Sequence, residues 1–166
     1  NNFESINFEL LNSGINANIN LDEKNKDIVS GVLKSKIINN KLKFNFKYNF
    51  KVLEIYNLYL RSKNISFNNN STIILNNFLD VKSKFDIQEI NFQIFQNIKL
   101  NKLLEKKNII KKINSENEII FVPKKFSRNL IDNLNLKIDL AYGRINYIKK
   151  FSISENFFKC KGNINL

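Results

Sequence analysis

The stretch Lys41-Leu42-Lys43-Phe44-Asn45-Phe46-Lys47-Tyr48-Asn49-Phe50 decides the fold. Leu42, Phe44, Phe46, Tyr48 and Phe50 occupy every second position, and Lys43, Asn45, Lys47 and Asn49 fill the gaps. Successive side chains of a β-strand point to opposite faces, so this strand carries an aromatic and aliphatic face and a Lys/Asn face. Nine residues at about 3.3 Å each span roughly 30 Å, long for a strand.

The same alternation recurs on both sides. Ile15, Ala17, Ile19 and Leu21 interleave with Asn16, Asn18 and Asn20. Val81, Ser83, Phe85 and Ile87 interleave with Lys82, Lys84 and Asp86. Leu134, Leu136, Ile138, Leu140 and Tyr142 interleave with Asn135, Lys137, Asp139 and Ala141. Shorter runs lie at Ile6–Leu10 and Cys160–Leu166. Between Leu53 and Leu60 the phase slips: Leu53 and Ile55 share one parity, Tyr56, Leu58 and Leu60 the other, and a bulge near Ile55 reconciles them. Turns are expected at Asn12-Ser13-Gly14, Asn39-Asn40, Asn68-Asn69-Asn70 and Tyr142-Gly143-Arg144, with a charged loop over Asp22–Asp27. Pro123 ends the strand before it. Together these predict a mainly β chain: a long twisted antiparallel sheet, amphipathic, in one β-rich domain over residues 1–166.

One region breaks the alternation. From Asn91 to Asn114 the apolar residues are spaced by three, four and seven, among Lys102, Glu105, Lys106 and Lys107. That spacing predicts a helical segment around 94–113, over part of Lys99 to Lys112, laid against the sheet.

Composition narrows the function classes. The 166 residues carry a net charge of +12, supplied by Lys with only Arg61, Arg128 and Arg144. Lys, Asn, Ile and Phe are the residues of A- and T-rich codons, so genome composition accounts for much of the charge. Phosphate readers favour the bidentate Arg fork. Nucleic-acid platforms set aromatics among basic residues on one exposed face. Here Phe44, Phe46, Tyr48 and Phe50 face away from the lysines, so no nucleic acid is expected as partner. The chain has no Met and begins at Asn1, which predicts a segment of a longer protein. No run approaches the roughly 18 apolar residues of a spanning helix. Cys160 is the single cysteine, expected as a small buried apolar residue.

The sequence carries no recognisable catalytic motif. Without His there is no Ser-His or Cys-His system, and most zinc sites are excluded. Four scattered Gly make no phosphate loop. Asp22, Glu23 and Asp27 are interrupted by Lys24 and Lys26, and Glu116 and Glu118 are read as turn residues. The expectation is no enzyme, no catalytic residues, no metal and no cofactor. An outer-membrane β-barrel fragment also alternates apolar and polar residues. Against it stand the helical interruption, the absence of aromatic girdles and the crowding of Lys that a small lumen would require. A basic β-rich module for nucleic acid or anionic surfaces is the other alternative.

Three segments carry a family resemblance: Gly31–Ile37 running into Lys41–Phe50; Asn133–Ile145 followed by Lys149–Ile153; and Phe158–Leu166. In texture they resemble the AsmA-like family of bacterial envelope proteins, of AsmA, YhdP and TamB type. The resemblance implies a sheet curled into an open groove and a non-enzymatic role in phospholipid transport or outer-membrane assembly. It implies an internal or C-terminal segment of a periplasmic protein, anchored to the inner membrane through a part lying outside this chain. The implied partners are phospholipid acyl chains and flanking repeats of the same chain. With the alternation it assigns the lipid-facing set: Leu42, Phe44, Phe46, Tyr48, Phe50, Val81, Phe85, Ile87, Leu134, Leu136, Ile138, Leu140 and Tyr142. Burial of apolar area at roughly 25 cal/mol per Å² would hold an acyl chain there without directed contacts.

Overall fold

The computed structural model describes residues 5–11, 13–25, 27–91, 107–123 and 131–165. They form one sheet of eleven strands in chain order: β1 (Ser5–Leu10), β2 (Ile15–Asn25), β3 (Ile28–Ile37), β4 (Asn40–Tyr48), β5 (Val52–Arg61), β6 (Ile65–Leu75), β7 (Leu79–Ile90), β8 (Ile113–Phe121), β9 (Asn133–Ala141), β10 (Arg144–Ile153) and β11 (Asn156–Asn165). β1 and β11 are the two edges, so the sheet is open rather than a closed barrel. Among the described residues, the strands that contact one another extensively are hydrogen-bonded neighbours, and no second layer packs on them.

Every neighbouring pair is antiparallel except β7 and β8, which run parallel. This departs from the wholly antiparallel sheet expected, and the reason is topological. Parallel neighbours need a crossover of a dozen or more residues to bring the chain back to the starting end. In the sequence 22 residues, 91–112, separate β7 from β8, and the two-residue alternation lapses there. The helical segment expected around 94–113 lies largely outside the described residues. Within them stand a helical turn at Lys107–Ile110 and, from Ile113, strand β8.

Several turns fall elsewhere than the sequence suggests. Asn68, Asn69 and Asn70, expected as a turn, lie inside β6. Their side chains bond within the sheet: Asn69 Nδ2 donates to the Lys84 carbonyl at 3.0 Å, and Asn70 Oδ1 accepts from the Asn57 amide at 2.9 Å. The loop expected over Asp22–Asp27 is mostly strand, since β2 continues to Asn25 past a bulge between Leu21 and Glu23. Glu116 and Glu118 sit in β8 rather than a turn, held by ion pairs to Lys82 (3.2 Å) and Lys137 (3.7 Å) on the flanking strands. Asn39–Asn40 shifts by one residue: the turn is Ile38–Asn39, and Asn40 opens β4. Tyr142–Gly143 turns as expected, with φ of 51° and 79°.

The phase slip in β5 is a bulge, as expected, centred on Asn57 with φ 53° between Ile55 and Leu58. It returns Leu58 and Leu60 to the apolar face. Tyr56 stays on the polar face, opposite Asn45.

Candidate functional site

Cross-strand partners share a face, so the register ladders define what each face presents. One row crosses the whole sheet: Phe8, Ala17, Ser35, Leu42, Leu60, Phe67, Ile87, Phe121, Leu134, Phe151 and Phe158. All but Ser35 are apolar. Within the row Phe121 is 1% exposed, the most buried apolar side chain of the described residues. Rings meet along the face: Phe67 and Phe85 edge to face at 5.5 Å, Phe151 and Phe158 stacked at 5.1 Å, and Phe44 and Phe46 edge to face at 6.4 Å. Such contacts add about 0.5–1.5 kcal/mol each beyond area burial.

Of the expected lipid-facing residues, the register brings Leu42, Phe44, Phe46, Tyr48, Val81, Phe85, Ile87, Leu134, Leu136, Ile138 and Leu140 to this one face. Phe50 and Tyr142 are not in strands. Phe50 follows the end of β4 with φ 56° and is 66% exposed, its ring 6.1 Å from Tyr48. Tyr142 lies in the β9–β10 turn, 63% exposed, its ring 5.8 Å from Phe78. Cys160, expected buried, is exposed, because β11 is an edge strand.

Ten inter-strand spacings of about 4.8 Å and a run of about 30 Å give a face on the order of 1,400 Å². Apolar patches on ordinary monomers reach roughly 300–600 Å². Most residues of the central rows are half-exposed, so the face is lined with hydrocarbon without being sealed as a core.

The sequence did not disclose a polar island at the centre of that face. Asn69 and Ser71 of β6, Ser83 of β7, and Ser115 and Asn117 of β8 are same-face neighbours. Ser71 Oγ donates to Asn69 Oδ1 at 2.7 Å and lies 2.8 Å from Ser83 Oγ. Asn117 Nδ2 donates to Ser115 Oγ at 2.9 Å. The available signal was the alternation Ile65, Phe67, Asn69, Ser71, Ile73, which the Asn run disguised. Lys149 also stands on this face, its Nζ 4.6 Å from the Phe151 ring centre.

No known family, curated protein or solved structure matches the chain.

The opposite face is charged. Across β7–β9 acids and bases alternate: Lys82 pairs with Glu116, Lys137 with Glu118, and Asn114 Nδ2 donates to Asp80 at 2.9 Å. The Asn135 amide, donating at 3.1 Å, holds the Glu118 carboxyl below the usual carboxylate range; Lys137 and Lys84 reinforce this and desolvation opposes it. A depression of about 620 Å³ over β5–β9 is lined by these charges with Tyr56 and Thr72. Among the described residues no group of three or more His, Cys, Asp or Glu is placed to hold a metal ion.

Proposed function

We propose that this chain is a non-enzymatic β-groove segment of an AsmA-like envelope protein that holds phospholipid acyl chains along its apolar face. The observation behind the reading is the row from Phe8 to Phe158, apolar on ten of eleven strands of an open single-layer sheet. A hydrocarbon chain lowers its free energy by about 0.8 kcal/mol per CH₂ removed from water. The apolar row does this on ten of the eleven strands, which suits a ligand that slides along it beside the polar island and needs no fixed polar anchor. The charged face remains in water. The open edges β1 and β11 offer backbone groups to flanking repeats of the same chain, as the repeat organisation of the family implies. In this reading the full-length protein lies in the periplasm, anchored to the inner membrane.

The test is extraction and mass spectrometry of lipid that co-purifies with the chain, followed by crosslinking with a phospholipid bearing a photoreactive group in its acyl tail. Crosslinks are expected at Phe46, Ile138 and Phe85, and not at Lys47, Lys137 or Lys84. Equal labelling of both faces, or no lipid at all, would reject the reading.

A further inference from the structure

A second surface stands on the polar face of β3, β4 and β5, at the end of the sheet that carries the β1–β2 and β3–β4 turns. Lys36 lies directly opposite Lys41, and Lys34 directly opposite Lys43. Lys41 in turn faces Arg61. Cβ atoms of directly opposed residues are about 4.5–5.5 Å apart, and like charges there oppose folding. The remaining cross-strand partners of these five cations are Asn16, Asn18, Tyr59 and Ser66, with no carboxylate among them. Among the described residues the nearest acids by register are Glu9 and Glu89, each two strands away from the cluster.

Edge protection does not account for this arrangement. Lysines on β11, such as Lys159 opposite Lys150, keep an open edge from pairing with another chain. β3, β4 and β5 are interior strands with both edges already paired. Compositional enrichment in Lys does not account for it either, because the same face across β7–β9 interleaves its lysines with acids. Between Lys34, Lys36, Lys41 and Lys43 lies a shallow depression of about 360 Å³ that also takes in Asn16 and Asn18. All four lysines are exposed.

The turns beside the cations carry exposed hydrocarbon. Leu11, in the β1–β2 turn, is 82% exposed, and Ile38, in the β3–β4 turn, is 60% exposed. The two turns are tied together by the Ile38 amide donating to the Gly14 carbonyl at 3.0 Å. Ile38 also has φ 57°. A β-branched residue in the left-handed region is a genuine outlier, and Gly is the usual occupant of this place in a two-residue hairpin. Ile38 thus gains little from packing and carries backbone strain, so folding gives no reason for it.

Cations on a rigid face beside projecting aliphatic tips match one chemistry: an anionic lipid bilayer, whose headgroups meet the lysines while Leu11 and Ile38 enter the boundary layer. We infer that this end of the sheet docks on an anionic phospholipid surface through Lys34, Lys36, Lys41, Lys43 and Arg61, with Leu11 and Ile38 as insertion points. A nucleic acid would leave the aliphatic tips without a role. The inference stands apart from the acyl-chain reading, because it concerns the opposite face and an end of the sheet.

Vesicle flotation of the chain tests it. Neutral phosphatidylcholine vesicles are compared with vesicles containing about 30% phosphatidylglycerol, at about 0.15 M and about 0.5 M salt. The expected result is association with the anionic vesicles only, weakened by salt. K34Q/K36Q/K41Q/K43Q should lower the association constant at least about tenfold, as expected for several lysines near a charged surface. It should keep an unchanged β circular-dichroism spectrum, since it removes like-charge contacts. The charge-matched K51Q/K150Q/K159Q/K161Q variant should lose far less. Leu11→Ser/Ile38→Ser should weaken vesicle association severalfold and leave any association with an oligonucleotide unchanged. Equal loss in the two lysine variants, indifference to the Leu11 and Ile38 changes, or binding of the oligonucleotide without binding of vesicles would each overturn the proposal.

Discussion

The hydroxyls of Ser71 in β6 and Ser83 in β7 lie 2.8 Å apart, directly opposite each other on a face otherwise dominated by hydrocarbon. Ser71 also donates to Asn69 Oδ1, and the Asn69 amide donates to the Lys84 carbonyl. Each of these three side chains has a partner on its own or the next strand. That is how polar groups come to be tolerated in the middle of the apolar face.

Such a pair is worth more jointly than singly. Removing the Ser71 hydroxyl takes a partner from both Ser83 Oγ and Asn69 Oδ1, whereas removing the Ser83 hydroxyl leaves Ser71 its bond to Asn69. Ser71→Ala should therefore destabilise the sheet by about 1–3 kcal/mol, and Ser83→Ala by less. The double variant should cost clearly less than the sum. Urea unfolding of the four proteins in a double-mutant cycle measures the coupling, and strict additivity would show that the hydroxyls act independently.

Two glycines make contrasting predictions. A Cβ on Gly31 would run into the Asn20 carbonyl oxygen and Leu21 Cα, both backbone of the adjacent strand at the β2 bulge. A Cβ on Gly162 would meet the ring of Tyr147, its cross-strand partner. Backbone can give way only by moving a strand, whereas a Tyr side chain on the penultimate strand can swing aside. Gly31→Ala should cost about 2–3 kcal/mol and Gly162→Ala about 1 kcal/mol or less. Denaturant midpoints of the two variants check the order. A larger loss at Gly162 would mean that the Tyr147 ring is fixed.

What the sequence disclosed follows from where side-chain periodicity is undisturbed. Leu42 to Tyr48 and Leu134 to Leu140 alternate strictly, and both are strands with the apolar set on one face. The periodicity failed where polar side chains serve the sheet itself. Asn68–Asn70 reads as a turn because Asn tolerates left-handed backbone, yet here two of these amides replace ladder or bulge contacts. Ile113–Glu118 reads as turn and helix end because it lacks an apolar stripe. It is a strand because Lys82, Lys137 and Asn135 satisfy its acids from both sides. The polar island and the cation cluster are both sums over several strands. No single segment carries them, and only register brings their members together.

Glu118 sets a pH dependence. Its carboxyl is held low chiefly by the Asn135 amide, with Lys137 and Lys84 adding to it. A folded-state value depressed below the unfolded one, about 4.3 for Glu, stabilises the fold above that unfolded value. The contribution is lost as pH falls through the folded value. Stability should thus be level near neutral pH and decline below about pH 4.3. Glu118→Gln should flatten that acid limb while keeping the contact with Asn135. Urea midpoints across the acid range compare the two proteins, and identical acid limbs would remove Glu118 as a contributor.

Ile38 offers the last prediction. With φ 57° it occupies the first of two turn residues between Ile37 and Asn40, the cross-strand pair that closes the β3–β4 hairpin. A left-handed residue bearing a branched Cβ costs about 1–2 kcal/mol relative to one without steric conflict, and Gly has none. The greater freedom of Gly in the unfolded chain takes back roughly half of that gain. Its exposed side chain returns little by packing. Ile38→Gly should therefore raise stability by about 0.5–1 kcal/mol, the reverse of the usual sign for a Gly substitution in a hairpin of paired strands. The same variant should bind anionic vesicles less well, since it removes one of the two aliphatic tips. A protein that becomes more stable and docks less is the signature of a residue kept for a surface contact rather than for the fold. Loss of stability on Ile38→Gly would instead assign Ile38 a packing role within the hairpin.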